Sequence, residues 1–121
     1  MLMNFLSKRI KAFKYAFKGI YLFFKEEQHA KIHLIIFLMV LLAGFYFDIT
    51  KTEWMMILMI SALVISSEMI NSSLEKTLDR IHPEQNEAVG KAKDIAAGAV
   101  LVCAVIAVVF GIMVFLPYLL G

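Results

Sequence analysis

Three stretches of this sequence, 32–47, 54–67 and 95–120, are almost purely apolar. Each approaches the ~20 residues that a helix needs to cross a ~30 Å hydrocarbon core. With 61% of its 121 residues hydrophobic and only 18% charged, the chain is too apolar for a soluble domain of this size. It reads as an all-α membrane protein with three transmembrane helices, at about 28–47, 54–76 and 93–120, preceded by an N-terminal surface helix at about 5–25. Lys31 and His33 begin the shortest stretch and can snorkel to the interface, so a continuous helix from about Glu26 would still span. One membrane domain takes up residues 1–121 and leaves no room for a soluble nucleotide-binding domain, so any chemistry falls to the helices and their flanks. Cys103, the only cysteine, lies mid-helix among Val, Ala and Ile. It cannot form a disulfide within one chain and reads as a packing residue.

The charges are unevenly placed. Of twelve Lys and Arg, seven precede the first span (Lys8, Arg9, Lys11, Lys14, Lys18, Lys25, Lys31) and four follow the second (Lys76, Arg80, Lys91, Lys93). Only Lys51 lies between the first two spans. The positive-inside rule then puts the N-terminus and the 76–94 loop in the cytoplasm, with the 48–53 turn and the C-terminus outside. Ahead of the first span Leu6, Ile10, Phe13, Phe17, Ile20 and Phe24 recur at steps of three and four, and Lys11, Lys14, Lys18 and Lys25 take the other side. That pattern describes an amphipathic helix with its aromatic face in the acyl boundary and its lysines among anionic headgroups. A transit peptide is also basic, but this segment is aromatic-rich and runs into the first span with no cleavable apolar core.

Trp54 marks an interfacial boundary after a tight turn at 48–53, and Pro83 ends the second helix, with a new one starting near Glu87. No Walker-type phosphate loop, metal-binding Cys or His cluster or nucleophile-elbow serine is present; His29, His33 and His82 are scattered and read as interfacial. What the sequence does contain is a polar stripe. Glu68, Asn71, Glu75 and Asp79 fall at steps of three, four and four on an otherwise apolar helix, and so share one face. At ~1.5 Å rise per residue, Glu68 lies ~21 Å and Glu75 ~31 Å from Trp54. Against a ~30 Å core Glu75 reaches water and Glu68 stays below the surface. An ionisable residue at that depth costs a few kcal/mol and marks a functional site by default. Bland readings exist for each residue alone: an ion pair with another helix for Glu68, and interhelical glue for Asn71.

Two further groups belong to the same membrane face. Glu26 and Glu27 end the surface helix, and Lys93 and Asp94 open the third span. Paired carboxylates suit Mg²⁺, which takes one or two of them together with phosphate oxygens and water. A lysine beside a helix N-terminus suits phosphate. Plain readings are a solvated acid for Glu26 and ordinary helix-start charge for Lys93 and Asp94. Ala96, Ala97, Gly98 and Ala99 then allow close helix packing.

The segment Glu-Met-Ile-Asn-Ser-Ser-Leu-Glu-Lys-Thr-Leu-Asp at 68–79 closely resembles the signature of the prokaryotic diacylglycerol kinase and undecaprenol kinase family. Ala-Lys-Asp-Ile-Ala-Ala-Gly-Ala-Val-Leu at 92–101 and Lys-Glu-Glu-Gln-His-Ala-Lys-Ile-His at 25–33 resemble two further blocks of it, and the likeness runs from about Arg9 to Leu116. It implies a homotrimer in the bacterial inner membrane that transfers the ATP γ-phosphate to a membrane lipid alcohol with Mg²⁺, and no nucleic-acid partner. By resemblance Glu68 is the catalytic base, Glu27 and Glu75 are metal ligands, and Asn71 orients the site. Lys93 and Asp94 contact ATP, and Glu84, Gln85 and Asn86 fall where the loop touches nucleotide. The likeness also suggests nucleotide or lipid contacts at Lys8, Arg9 and Tyr15, although the basic start of the surface helix departs from the enterobacterial pattern. The 25–33 block and the terminal Gly-Ile-Met-Val-Phe-Leu-Pro look more like the undecaprenol kinases of Gram-positive bacteria, which makes undecaprenol the expected substrate and diacylglycerol the alternative.

Phosphoryl transfer needs positioning and charge neutralisation above all, so a metal clamp, a lysine and one base suffice for it. The strongest non-enzyme reading is a small oligomer whose stripe lines an ion pathway. Such a pathway needs polar residues through the whole membrane, and 55–64 offers only Ser61.

Overall fold

The computed structural model describes residues 1–121 and is helical, with no strand. Its helices are α1 (Leu2–Glu26), α2 (Gln28–Phe47), α3 (Lys51–Ile81) and α4 (Glu87–Leu120). Three of them, α2, α3 and α4, are long and apolar enough to cross a membrane. The chain divides into two compact units, residues 1–35 and 36–121.

In the first unit, Glu27 is the one residue between α1 and α2 outside a helix. Its backbone is extended (φ −92°, ψ 122°) and its N–H donates to the Phe23 carbonyl at 3.0 Å, closing α1. A helix continuous from Glu26 is therefore not formed, and α2 begins at Gln28. Phe23 is buried and meets Phe24 edge-on at 5.1 Å between ring centroids. Along the rest of α1 the large apolar side chains, Phe13, Phe17 and Ile20 among them, are exposed.

In the second unit α3 and α4 form an antiparallel pair, tied near both ends. The Tyr118 hydroxyl donates to Glu53 Oε1 at 2.5 Å, and at the far end Lys93 Nζ pairs with Asp79 Oδ1. The chain turns from α2 into α3 within three residues. Asp48 takes a positive φ of 51°, which a short polar side chain tolerates better than a branched one. Thr50 then caps α3 reciprocally: its hydroxyl accepts from Glu53 N–H at 3.2 Å, and Glu53 Oε1 accepts from Thr50 N–H at 2.9 Å. Beside this turn sits the apolar core, with Ile49, Ile57 and Val114 buried and Phe47, Trp54, Phe115 and Tyr118 packed round them. Gly44 lets α2 lie flat on the Trp54 indole, because a Cβ there would come within 2.5 Å of the ring.

That core is small. Only 11%, 17% and 6% of the apolar windows of α2, α3 and α4 are buried, so lipid or further protein must cover the remainder. With 31 and 34 residues, α3 and α4 extend ~46 and ~51 Å, well beyond a ~30 Å hydrocarbon core. If Trp54 sits at one interface, the last turns of α3, the 82–86 connection and the first turns of α4 all emerge on the other side.

Candidate active site

The helical phase of α3 aligns Glu68, Asn71, Glu75 and Asp79 along one line, and burial falls along it. Glu68 and Asn71 are half-buried, while Glu75 and Asp79 are exposed. Asn71 Nδ2 donates to Glu75 Oε1 at 3.4 Å, one helical turn away, which turns the amide so that Oδ1 is buried with no donor facing it. A buried acceptor left unsatisfied costs roughly 1–3 kcal/mol, so this carbonyl is a place where a further donor or cation would be welcome. Nearby, Ser67 spends its hydroxyl on the Val64 carbonyl at 2.8 Å, and Thr77 does the same with Ser73. Both hydroxyl protons are thereby committed to the helix's own backbone.

Where α3 hands over to α4 the chain encloses an open cavity of about 570 Å³. Asp79, Glu84, Gln85, Asn86, Glu87 and Lys93 are on its wall, beside His82, Val89 and Gly90. The structure thus gathers four of the residues expected to touch nucleotide, Glu84, Gln85, Asn86 and Lys93, around one concavity. Asp94 is exposed on α4 and does not line it. Asn86 has a structural duty as well. Its Oδ1 accepts from the N–H groups of Ala88 at 2.8 Å and Val89 at 3.3 Å, making it the N-cap of α4.

This capping corrects one expectation. The α4 N-terminus lies at Glu87, six residues before Lys93, and two of its free N–H groups are already taken by Asn86. Lys93 is therefore not beside a helix N-terminus, and its ammonium must meet any anion unaided by the helix dipole. What it has instead is Asp79, fourteen residues earlier on α3. The sequence places Asp79 on the stripe but carries no sign of this partner.

Glu27 and Tyr15 belong to the first unit. Glu27 is half-buried at the break between α1 and α2, and Tyr15 is exposed on α1. No three Asp, Glu, His or Cys side chains gather as a metal cluster within the chain. An oxygen-only set of one or two carboxylates with the Asn71 carbonyl nevertheless suits Mg²⁺, which leaves most of its coordination to water and phosphate.

Three membrane-length helices, with acids and a lysine clustered at one end of the α3–α4 pair, define a membrane protein whose polar groups gather at that end. The chain belongs to the prokaryotic diacylglycerol kinase family, which it matches over residues 14–115, and it is a membrane lipid kinase with ATP as co-substrate. It is 35% identical to the undecaprenol kinase of Bacillus subtilis (strain 168), over 96% of this chain and 94% of that one. It is 32% identical to a diacylglycerol kinase of Haemophilus influenzae, covering 91% of this chain and 94% of the relative. Identity to the diacylglycerol kinase of Escherichia coli (strain K12) is 29%, covering 83% and 82%.

Proposed function

We propose that the protein phosphorylates undecaprenol, transferring the γ-phosphate of ATP to the primary hydroxyl to give undecaprenyl phosphate, and that it does so as a homotrimer. The observation that carries the substrate choice is the likeness to the undecaprenol kinase at 35% identity across nearly both chains, above the 29–32% to the diacylglycerol kinases. The surroundings of Glu68 support it. Ser67 beside it donates its hydroxyl to the backbone of its own helix, and Val64, Ile65, Met69 and Ile70 on the same helix are apolar, which leaves Ser66 and Ser72 as the nearby hydroxyls. A diacylglycerol offers two ester carbonyls that a selective site would meet with donors, whereas a polyprenol asks only for a place for its hydroxyl.

In this reading Glu68 takes the proton of the lipid hydroxyl as the alcohol oxygen bonds to the γ-phosphorus and the bond to the ADP leaving group breaks. Asn71 orients the site between Glu68 and Glu75. Glu75 and Glu27, whichever copy of the chain supplies each, would hold Mg²⁺, with the Asn71 carbonyl as a further oxygen donor. The chemistry Mg²⁺ supplies when bound there is neutralisation of phosphate charge. Lys93 and Asp94 hold the phosphates, and Glu84, Gln85, Asn86 and Tyr15 meet the rest of the nucleotide. Because ATP is cytoplasmic, the loop end of α3 and the N-terminus face the cytoplasm of a bacterial inner membrane, and the C-terminus lies outside; the eleven-to-one distribution of Lys and Arg supports this orientation.

A competition between undecaprenol and diacylglycerol in mixed micelles with labelled ATP tests the substrate. The expected result is a higher kcat/KM for undecaprenol; a clear preference for diacylglycerol would overturn the choice and leave the lipid kinase standing.

A further inference from the structure

The cavity between α3 and α4 carries several acids on its wall, yet Lys93 is its only lysine or arginine. Anything anionic that enters depends on where that one ammonium points. A lysine has a flexible four-carbon stem and no preferred direction of its own. Here the direction is set: Nζ is held by Asp79 across the two helices.

Stability does not account for the pair. The Asp79 side chain is 64% exposed and that of Lys93 33%, and ion pairs in such surroundings add little to folding. Holding the ammonium still is a different matter. An ammonium has three N–H donors, so one can remain on Asp79 while two are offered to phosphate oxygens. Other carboxylates compete for it. Glu87 already pairs with Lys91 at 3.4 Å, but Glu84 is on the same wall and would attract a loose ammonium to the cavity mouth.

We propose that Asp79 is a positioning residue, holding the Lys93 ammonium on the wall of the α3–α4 cavity so that it meets the phosphates of an incoming nucleoside triphosphate. The inference deepens the nucleotide site proposed above and rests on Lys93 being part of it. Asp79 need not touch the nucleotide. Its contribution is to have ordered the lysine before binding, and immobilising one long side chain alters affinity by roughly 2- to 12-fold.

The test uses the full-length protein in detergent with Mg·ATP and undecaprenol, and the variants Asp79→Asn, Asp79→Ser, Asp79→Glu, Lys93→Met and the double variant Asp79→Asn/Lys93→Met. Asp79→Asn and Asp79→Ser are expected to raise the KM for ATP about three- to tenfold with kcat altered less than about twofold. Asp79→Glu, which can still reach the ammonium, should restore the KM to near its original value. Combined with Lys93→Met, Asp79→Asn should add nothing, because its effect passes through the lysine. Additive losses in the double variant, or a KM that falls when Asp79 is neutralised, would overturn the positioning role and leave the nucleotide site intact. If Lys93→Met alone left KM and kcat unchanged, both the positioning role and the nucleotide reading of Lys93 would fall.

Discussion

The two ends of the α3–α4 pair are built on opposite principles. At the turn end polar groups close on one another: Thr50 and Glu53 cap each other, and Tyr118 donates to Glu53. The apolar core formed by Ile49, Ile57 and Val114 sits there too. At the loop end almost everything is exposed, a cavity is open, and the Asn71 carbonyl is buried without a donor. A helix pair whose apolar core lies at one end can leave the other polar and incompletely satisfied, and an unsatisfied carbonyl is what a cation accompanying a phosphate substrate requires. On the proposed function, stability and chemistry are thus separated along the helix axis.

Mutations should follow that division. The largest effect is expected at Glu68: Glu68→Ala should lower kcat about 10²- to 10⁴-fold, the usual contribution of a general base, as read by labelled phosphate incorporation into lipid. Glu75→Gln should raise the KM for Mg·ATP and the Mg²⁺ concentration for half-maximal activity about tenfold or more, the loss expected when a charged partner is removed. At the turn end, Gly44→Ala drives a methyl group into the Trp54 indole, which also packs on Phe45 at 4.9 Å between centroids. Overpacking of this kind costs about 1–3 kcal/mol, so thermal denaturation in detergent should shift down while kcat of the folded protein stays put. Tyr118→Phe should have the smallest effect, a slight downward shift of thermal denaturation with unchanged turnover. A large fall in kcat for Tyr118→Phe would break the division between the two ends.

Much of this arrangement was legible in the sequence because it rests on short-range periodicity. Apolar runs of membrane length announced α2, α3 and α4; Pro83 announced the break before Glu87; steps of three and four put Glu68, Asn71, Glu75 and Asp79 on one face. The Thr50–Glu53 capping box and the Asn86 N-cap came from the structure, although both rest on local sequence. The links between Lys93 and Asp79 and between Tyr118 and Glu53 were not readable. They join residues 14 and 65 apart, and only the antiparallel packing of α3 on α4 brings them together. No Gly or Pro marks the break at Glu27, and the sequence pointed to it only through the change from the amphipathic pattern before Glu26 to the apolar run beyond it.

In the proposed function, base and nucleotide site are separable along the α3–α4 pair, with Glu68 below the membrane surface and Glu75 and Lys93 beyond it. Binding of a non-hydrolysable Mg·ATP analogue to purified Glu68→Ala protein, measured by calorimetry in detergent beside the unaltered protein, tests it most directly. Affinities equal within about twofold are expected, since removing a group that acts only in the transition state leaves ground-state binding alone. Loss of nucleotide binding in Glu68→Ala would contradict it, placing Glu68 in the nucleotide site rather than at the lipid hydroxyl.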